Sequence, residues 1–239
     1  MPKRLPLILL ICISIFNLSA QSVDTSSRPN NSKIVDVYYQ SLGEQSPLYN
    51  GSQYLEYPFI IQDGHPFFGK QDFVNATILF DGMTFDAVPT LYDIVKDQVV
   101  IQDYHKYYKI NLPADKIQQF ELDGHTFVRL VHDSSNEIKT GFYEQLYSGK
   151  ATLFAKREKK ISQQYANMEI NNVVYSHTSY YIRKENQFYA VSSKKSLLNV
   201  LKPKQKEVQQ YLKKNNIKFK KTPEKAALMA VEYYDQLMN

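Results

Sequence analysis

The sequence predicts a mainly β protein of the α+β class: a curved antiparallel sheet, built as a sandwich or an open barrel, followed by two or three C-terminal helices. Three observations lead there. Short aromatic and β-branched runs recur with turn signals between them, two of those turns are Asp-Gly pairs, and helical patterning is confined to the end of the chain. No long helices alternate with the strands, which argues against a parallel α/β sheet.

The chain opens Met1-Pro2-Lys3-Arg4, runs apolar from Leu5 to Phe16 and closes with Asn17-Leu18-Ser19-Ala20. A cationic tip, a short apolar run and a small residue at the cut are the grammar of a secretory signal, so residues 1–20 are expected to be removed after Ala20. A membrane-spanning helix needs about 20 apolar residues, and this run is shorter, so no transmembrane span is expected after cleavage. Cys12 is the single cysteine and lies in the leader, with Ile11 rather than a small residue before it, which does not suit a lipoprotein cut. The exported chain would then carry no disulfide, thiolate metal site or cysteine nucleophile, and its own core must hold it. Residues 21–33 are polar and aperiodic and read as a flexible linker. Residues 34–192 are expected to form the β-rich domain, with residues 193–239 a basic helical segment packed on the same domain.

Residues 54–61, aromatic and β-branched with a break at Pro58, read as the first strand. Runs at 73–80 and 83–88 flank Asp81-Gly82. Asp-Gly between two such runs signals a hairpin, because a type I′ turn needs positive φ at both central residues. Residues 91–94 and 98–103 pair across Lys96-Asp97, and further strands are expected at 107–112, 117–122, 125–132, 142–148, 151–156, 173–183 and 187–191. Asp123-Gly124 marks another tight hairpin. The echo of Asp63-Gly64-His65 in Asp123-Gly124-His125 is recurrent turn chemistry, since the flanking residues share little.

Residues 193–201 are expected to be a short helix, and 204–215 a second, with Val208, Tyr211 and Leu212 on one face. Thr222-Pro223-Glu224 is a start signal for a third helix to Met238, with Thr as cap, Pro at the first position and an acid in the first turn. From Lys194 to Lys225 there are eleven lysines, two glutamates and no arginine. Without arginine, such a segment suits a solvated face better than bidentate phosphate recognition, and its alternative is contact with anionic envelope lipid or glycan; nucleic acid is not an expected partner, as no recognition motif is present.

The five histidines are His65, His105, His125, His132 and His177, and none stands in a metal-ligand spacing. Asp103 and His105 share a strand face, which suits a surface pair or a carboxylate-oriented histidine. There is no nucleophile elbow, phosphate-binding glycine loop or calcium loop. No catalytic, cofactor-binding or metal-binding residue is assigned. Nineteen tyrosines and thirteen phenylalanines, with no tryptophan, serve either as cross-strand pairs or as the lining of a concave surface for a lipid or glycan.

Leu48-Tyr49-Asn50-Gly51-Ser52-Gln53-Tyr54, Gly64-His65-Pro66-Phe67-Phe68, Val88-Pro89-Thr90-Leu91-Tyr92-Asp93-Ile94 with Asp97-Gln98-Val99-Val100-Ile101, and the lysine-rich ending together resemble a group of exported proteins of Bacteroidota. The resemblance implies a periplasmic or outer-membrane-facing location and carries over no activity and no site residues. The expected role is non-enzymatic, binding or structural, in a cell envelope. Two alternatives stand beside it: a lipid or lipoprotein carrier with an apolar cup lined by Phe and Tyr, and an envelope glycan hydrolase using two carboxylates or a histidine–carboxylate pair.

Overall fold

The structure is a computed structural model that describes residue 38 and residues 41–133, 138–166 and 169–238. The expected leader with Cys12, and the linker 21–33, lie outside the described residues.

Eleven strands form one antiparallel sheet: β1 (Ser52–Gln53), β2 (Val74–Phe80), β3 (Met83–Asp93), β4 (Gln98–Gln102), β5 (Lys109–Asn111), β6 (Ile117–Leu122), β7 (His125–Leu130), β8 (Gly141–Tyr147), β9 (Ala151–Ala166), β10 (Glu169–Lys184) and β11 (Gln187–Val191). Their order is β1-β5-β4-β3-β2-β6-β7-β8-β9-β10-β11. The first meander runs outward from β2 to β5, and a 3₁₀ turn (Ala114–Lys116) then returns the chain to the far side of β2, where β6 to β11 continue. Both Asp-Gly turns take the expected conformation, with φ of 52° and 77° at Asp81 and Gly82 and 52° and 78° at Asp123 and Gly124. Glu185 and Asn186, at 51° and 63°, make a third such turn between β10 and β11.

The expected mainly β fold with C-terminal helices is what forms, as a single open sheet rather than two stacked ones. The main departures from the expected bounds are three. The runs at 83–88 and 91–94 are one strand, continuous through a bulge where Ala87 takes φ 54°. Residues 54–61 are not a strand. The Tyr54 and Tyr57 hydroxyls both donate to Oδ2 of the fully buried Asp93 at 2.8 Å, and Tyr54 packs with Phe67, Leu91 and Val100, so this segment lies across the sheet rather than extending it. The strands expected at 151–156 and 173–183 are sixteen-residue arms. Beyond the reach of β8 and β11, β10 is held by Gln62 and Asp63, whose N–H groups donate to Asn172 O, and by Val174 N–H donating to Asp63 O at 3.0 Å.

The sheet curls so that the β3–β4 turn meets β8 and β9. Lys159 N–H donates to Ile94 O at 3.1 Å, and Lys156 Nζ donates to Asp97 Oδ2 at 2.7 Å and to Phe142 O at 3.0 Å. The Tyr92 hydroxyl donates to the other oxygen of Asp97 at 2.5 Å. Inside the curl Tyr92, Phe120, Phe127 and Phe142 stack edge-on or face-on, with centroids 4.9–6.0 Å apart.

The C-terminal helices are α1 (Lys194–Val200), α2 (Gln205–Lys214) and α3 (Pro223–Met238). They cover a second core in which Ala151, Leu153, Ala155 and Ile182 of the sheet meet Leu197, Leu201, Val208, Leu212, Ala227, Ala230, Val231 and Tyr234. Alanines on both sides of that contact bring α3 close to the sheet, and each fully buried Leu or Val contributes about 1.5–3 kcal/mol. Phe127, Glu144 and Ala155 stand in one cross-strand row. The two cores therefore share one face of the sheet, with Glu144 between them.

Candidate functional site

A cleft of about 980 Å³ lies where the β10–β11 hairpin meets the entry to α1 and the loop from α2 to α3. That is at the top of the roughly 300–1,000 Å³ range in which pockets enclose small ligands. Half-buried Ile217 and Phe219 give it an apolar floor beside the buried Tyr180 and Val191, and Lys194, Lys195, Lys218, Lys220 and Lys221 ring it.

Local chain geometry makes this arrangement. Helix α2 ends at Asn216, which takes the left-handed φ of 55°, and Ile217 N–H returns to Leu212 O at 2.9 Å. The chain leaves in an alternating loop, with Ile217 and Phe219 half-buried and Lys218 and Lys220 exposed. On the other side, a reciprocal cap between Ser193 and Ser196 starts α1 and holds Lys194 and Lys195 in its first turn. Among the described residues, no carboxylate pairs with any of the five lysines.

Beside the cleft lies a chain of charges. The Arg157 guanidinium donates to Glu144 Oε2 and to Glu224 Oε2, each at 2.6 Å. His125 Nδ1 lies 2.5 Å from the other Glu144 oxygen, and the Tyr180 hydroxyl donates to Glu224 at 3.1 Å. Tyr180 belongs to both places. Burial works to raise Glu224, but the Arg157 hydrogen bond and charge and the Tyr180 hydroxyl outweigh it and hold that carboxyl below its ordinary value. Burial and then Glu224 push the Tyr180 phenol up to about 12. Arg157 is raised, because its bonds to Glu224 and Glu144 overcome the cost of burial. Chemically, this cluster ties the first turn of α3 to β8 and β9. Hydrolysis of a glycoside needs one carboxyl kept protonated, and the pull on Glu224 is in the opposite direction.

The remaining histidines are dispersed. His65 stacks on Phe67, and burial followed by the nearby Lys159 charge lowers its pKa. His105 pairs with Glu44 at 3.1 Å rather than with Asp103, whose carboxylate instead accepts the backbone N–H groups of His105 and Tyr108 and caps their loop. His132 Nδ1 meets Ile138 O at 2.8 Å, and His177, on the cleft margin, meets Ser179 Oγ at 3.1 Å. Among the described residues, no group of three or more metal-ligating side chains assembles, and no helix is long and apolar enough to cross a membrane.

The class that fold and cleft define is an open antiparallel sheet with three helices packed on one end of its inner face and a lysine-rimmed cleft at their margin. No family model, curated protein or solved structure matches the chain.

The sequence pointed to the lysine-rich ending and to tyrosine as a lining residue. Five of its eleven lysines gather at the cleft. The floor residues Val191, Ile217 and Phe219 went unrecognised; the alternation Ile217-Lys218-Phe219-Lys220 was the signal available for two of them.

Proposed function

We propose that this chain is an exported protein of a bacterial cell envelope, periplasmic or outer-membrane-associated, that binds a small ligand in the cleft beside α1 and the α2–α3 loop. The observation that carries the reading is the coincidence of an apolar floor with five lysines that have no carboxylate partner among the described residues. The apolar part of such a surface is unfavourable in water when empty, and an occupant gains by covering it while an anionic group meets the charge. The leader-like start of the sequence supports export, and the resemblance to exported Bacteroidota proteins supports the envelope.

The test is native mass spectrometry of the protein purified from its own envelope. A bound small molecule of defined mass is expected, on a chain whose N-terminus is Gln21. Thr178 lines the cleft on the same face of β10 as Tyr180, so Thr178→Trp narrows the space and removes that mass. A protein that carries no small molecule, or a Thr178→Trp variant that keeps it, overturns the binding reading. A cytosolic chain with its first twenty residues intact overturns export.

A further inference from the structure

We infer that the occupant of the cleft is a single phosphorylated lipid, its phosphate among the lysines and its acyl chain along the floor. The assignment rests on the cleft being the binding site and adds the chemical class of the ligand.

Three features converge on that class. The first is charge. Lys194 and Lys195 enter from the β11–α1 junction and Lys218, Lys220 and Lys221 from the α2–α3 loop, so cations face the opening from two separate elements. A monocarboxylate would leave most of that charge uncompensated, whereas a phosphate monoester carries up to two negative charges and three acceptor oxygens. The second is the floor. Half-buried Ile217 and Phe219, beside the buried Tyr180 and Val191, offer apolar surface next to the cations, which a free phosphate or an acidic sugar would leave wet. The third is the choice of cation. Arginine recognises one bidentate geometry, while lysine acts as a mobile point charge. An all-lysine rim therefore suits a headgroup held by charge, with the chain supplying the rest of the affinity. A flat bilayer surface would engage the exposed lysines but could not reach a floor set between the hairpin and the loop.

The test titrates the purified full chain with three probes below their micellar concentrations: dodecyl phosphate, dodecyl maltoside as the uncharged-head control, and inorganic phosphate. Dodecyl phosphate is expected to bind at least about tenfold more tightly than the maltoside, a difference of about 1.4 kcal/mol. Inorganic phosphate alone should show no saturable binding. Changing all five exposed lysines to glutamine is expected to bring dodecyl phosphate down to the maltoside level and leave the maltoside unchanged. Equal affinity for dodecyl phosphate and dodecyl maltoside overturns the phosphate assignment while the cleft survives as a binding site. Binding of inorganic phosphate as tight as that of dodecyl phosphate overturns the acyl assignment. No binding of any probe overturns the inference, while the reading beneath it stands or falls on the native mass spectrum. Association with phosphatidylglycerol vesicles that Thr178→Trp leaves intact identifies a surface contact instead and also overturns it.

Discussion

Replacing Arg157 by methionine tests the joint between helices and sheet. The change keeps an apolar stem of similar length and removes the guanidinium. Glu144 is left with its side chain only 5% exposed and without its cationic partner on β9. Removing one member of a buried ion pair typically costs about 3–5 kcal/mol. The Glu224 side of the bridge is 40% exposed, and solvent screening limits its share to about 1 kcal/mol or less. Because His125 remains on Glu144, the low end applies, and the expected loss is about 3 kcal/mol at neutral pH. For a chain of this size that corresponds to a fall in Tm of about 6–12 °C. Urea unfolding at constant m gives the value directly. Adding Glu144→Gln to the same protein removes the stranded charge and should return more than half of the loss. A single variant within about 1 kcal/mol of the parent, or a double variant less stable than the single, refutes the view that Glu144 depends on Arg157.

Other expectations follow from the same geometry. Glu224 has a depressed folded-state pKa, so its stabilisation is complete above its unfolded value and is lost as pH falls through the lower folded value; Glu224→Gln should flatten the stability profile across that acidic window and nowhere else, and an unchanged profile would contradict it. Asp97→Asn removes the charge that holds Lys156, whose side chain is 11% exposed, and should cost about 2 kcal/mol while accelerating amide exchange at Lys159, whose N–H bonds Ile94. Gly141→Ala would place a methyl carbon 2.2 Å from Asp97 Oδ2, so it should destabilise by about 1–3 kcal/mol; parent-like thermal stability would show that the β3–β4 turn does not dock there.

Local chemistry decided which parts of this fold were readable in advance. Asp81-Gly82 and Asp123-Gly124 announce their hairpins because few other residues accept two successive positive φ values. Thr222-Pro223-Glu224 marks the start of α3 for the same kind of reason. The outer half of the β9–β10 arm was not readable. Residues 161–165 are largely exposed and polar, so their strand form comes from backbone pairing and not from alternating burial. Residues 54–61 misled in the opposite sense, since their aromatic content reflects a buried carboxylate, Asp93, that only the folded sheet supplies. The lysines of the cleft were visible as composition, but Val191 and Phe219 become neighbours only when α3 packs on Ala151 and Ala155. The Arg157 cluster draws on His125, Glu144, Tyr180 and Glu224 from four separate elements, and no spacing along the chain encodes it.

The most direct measurement of the central claim is amide and methyl chemical-shift mapping of the isotope-labelled protein titrated with dodecyl phosphate. The account predicts saturable shifts concentrated at Val191, Ile217 and Phe219 and at the amides of Lys194 and Lys218. Shifts spread evenly over Lys202, Lys206, Lys213 and Lys214, with Val191 and Ile217 unmoved, would contradict it.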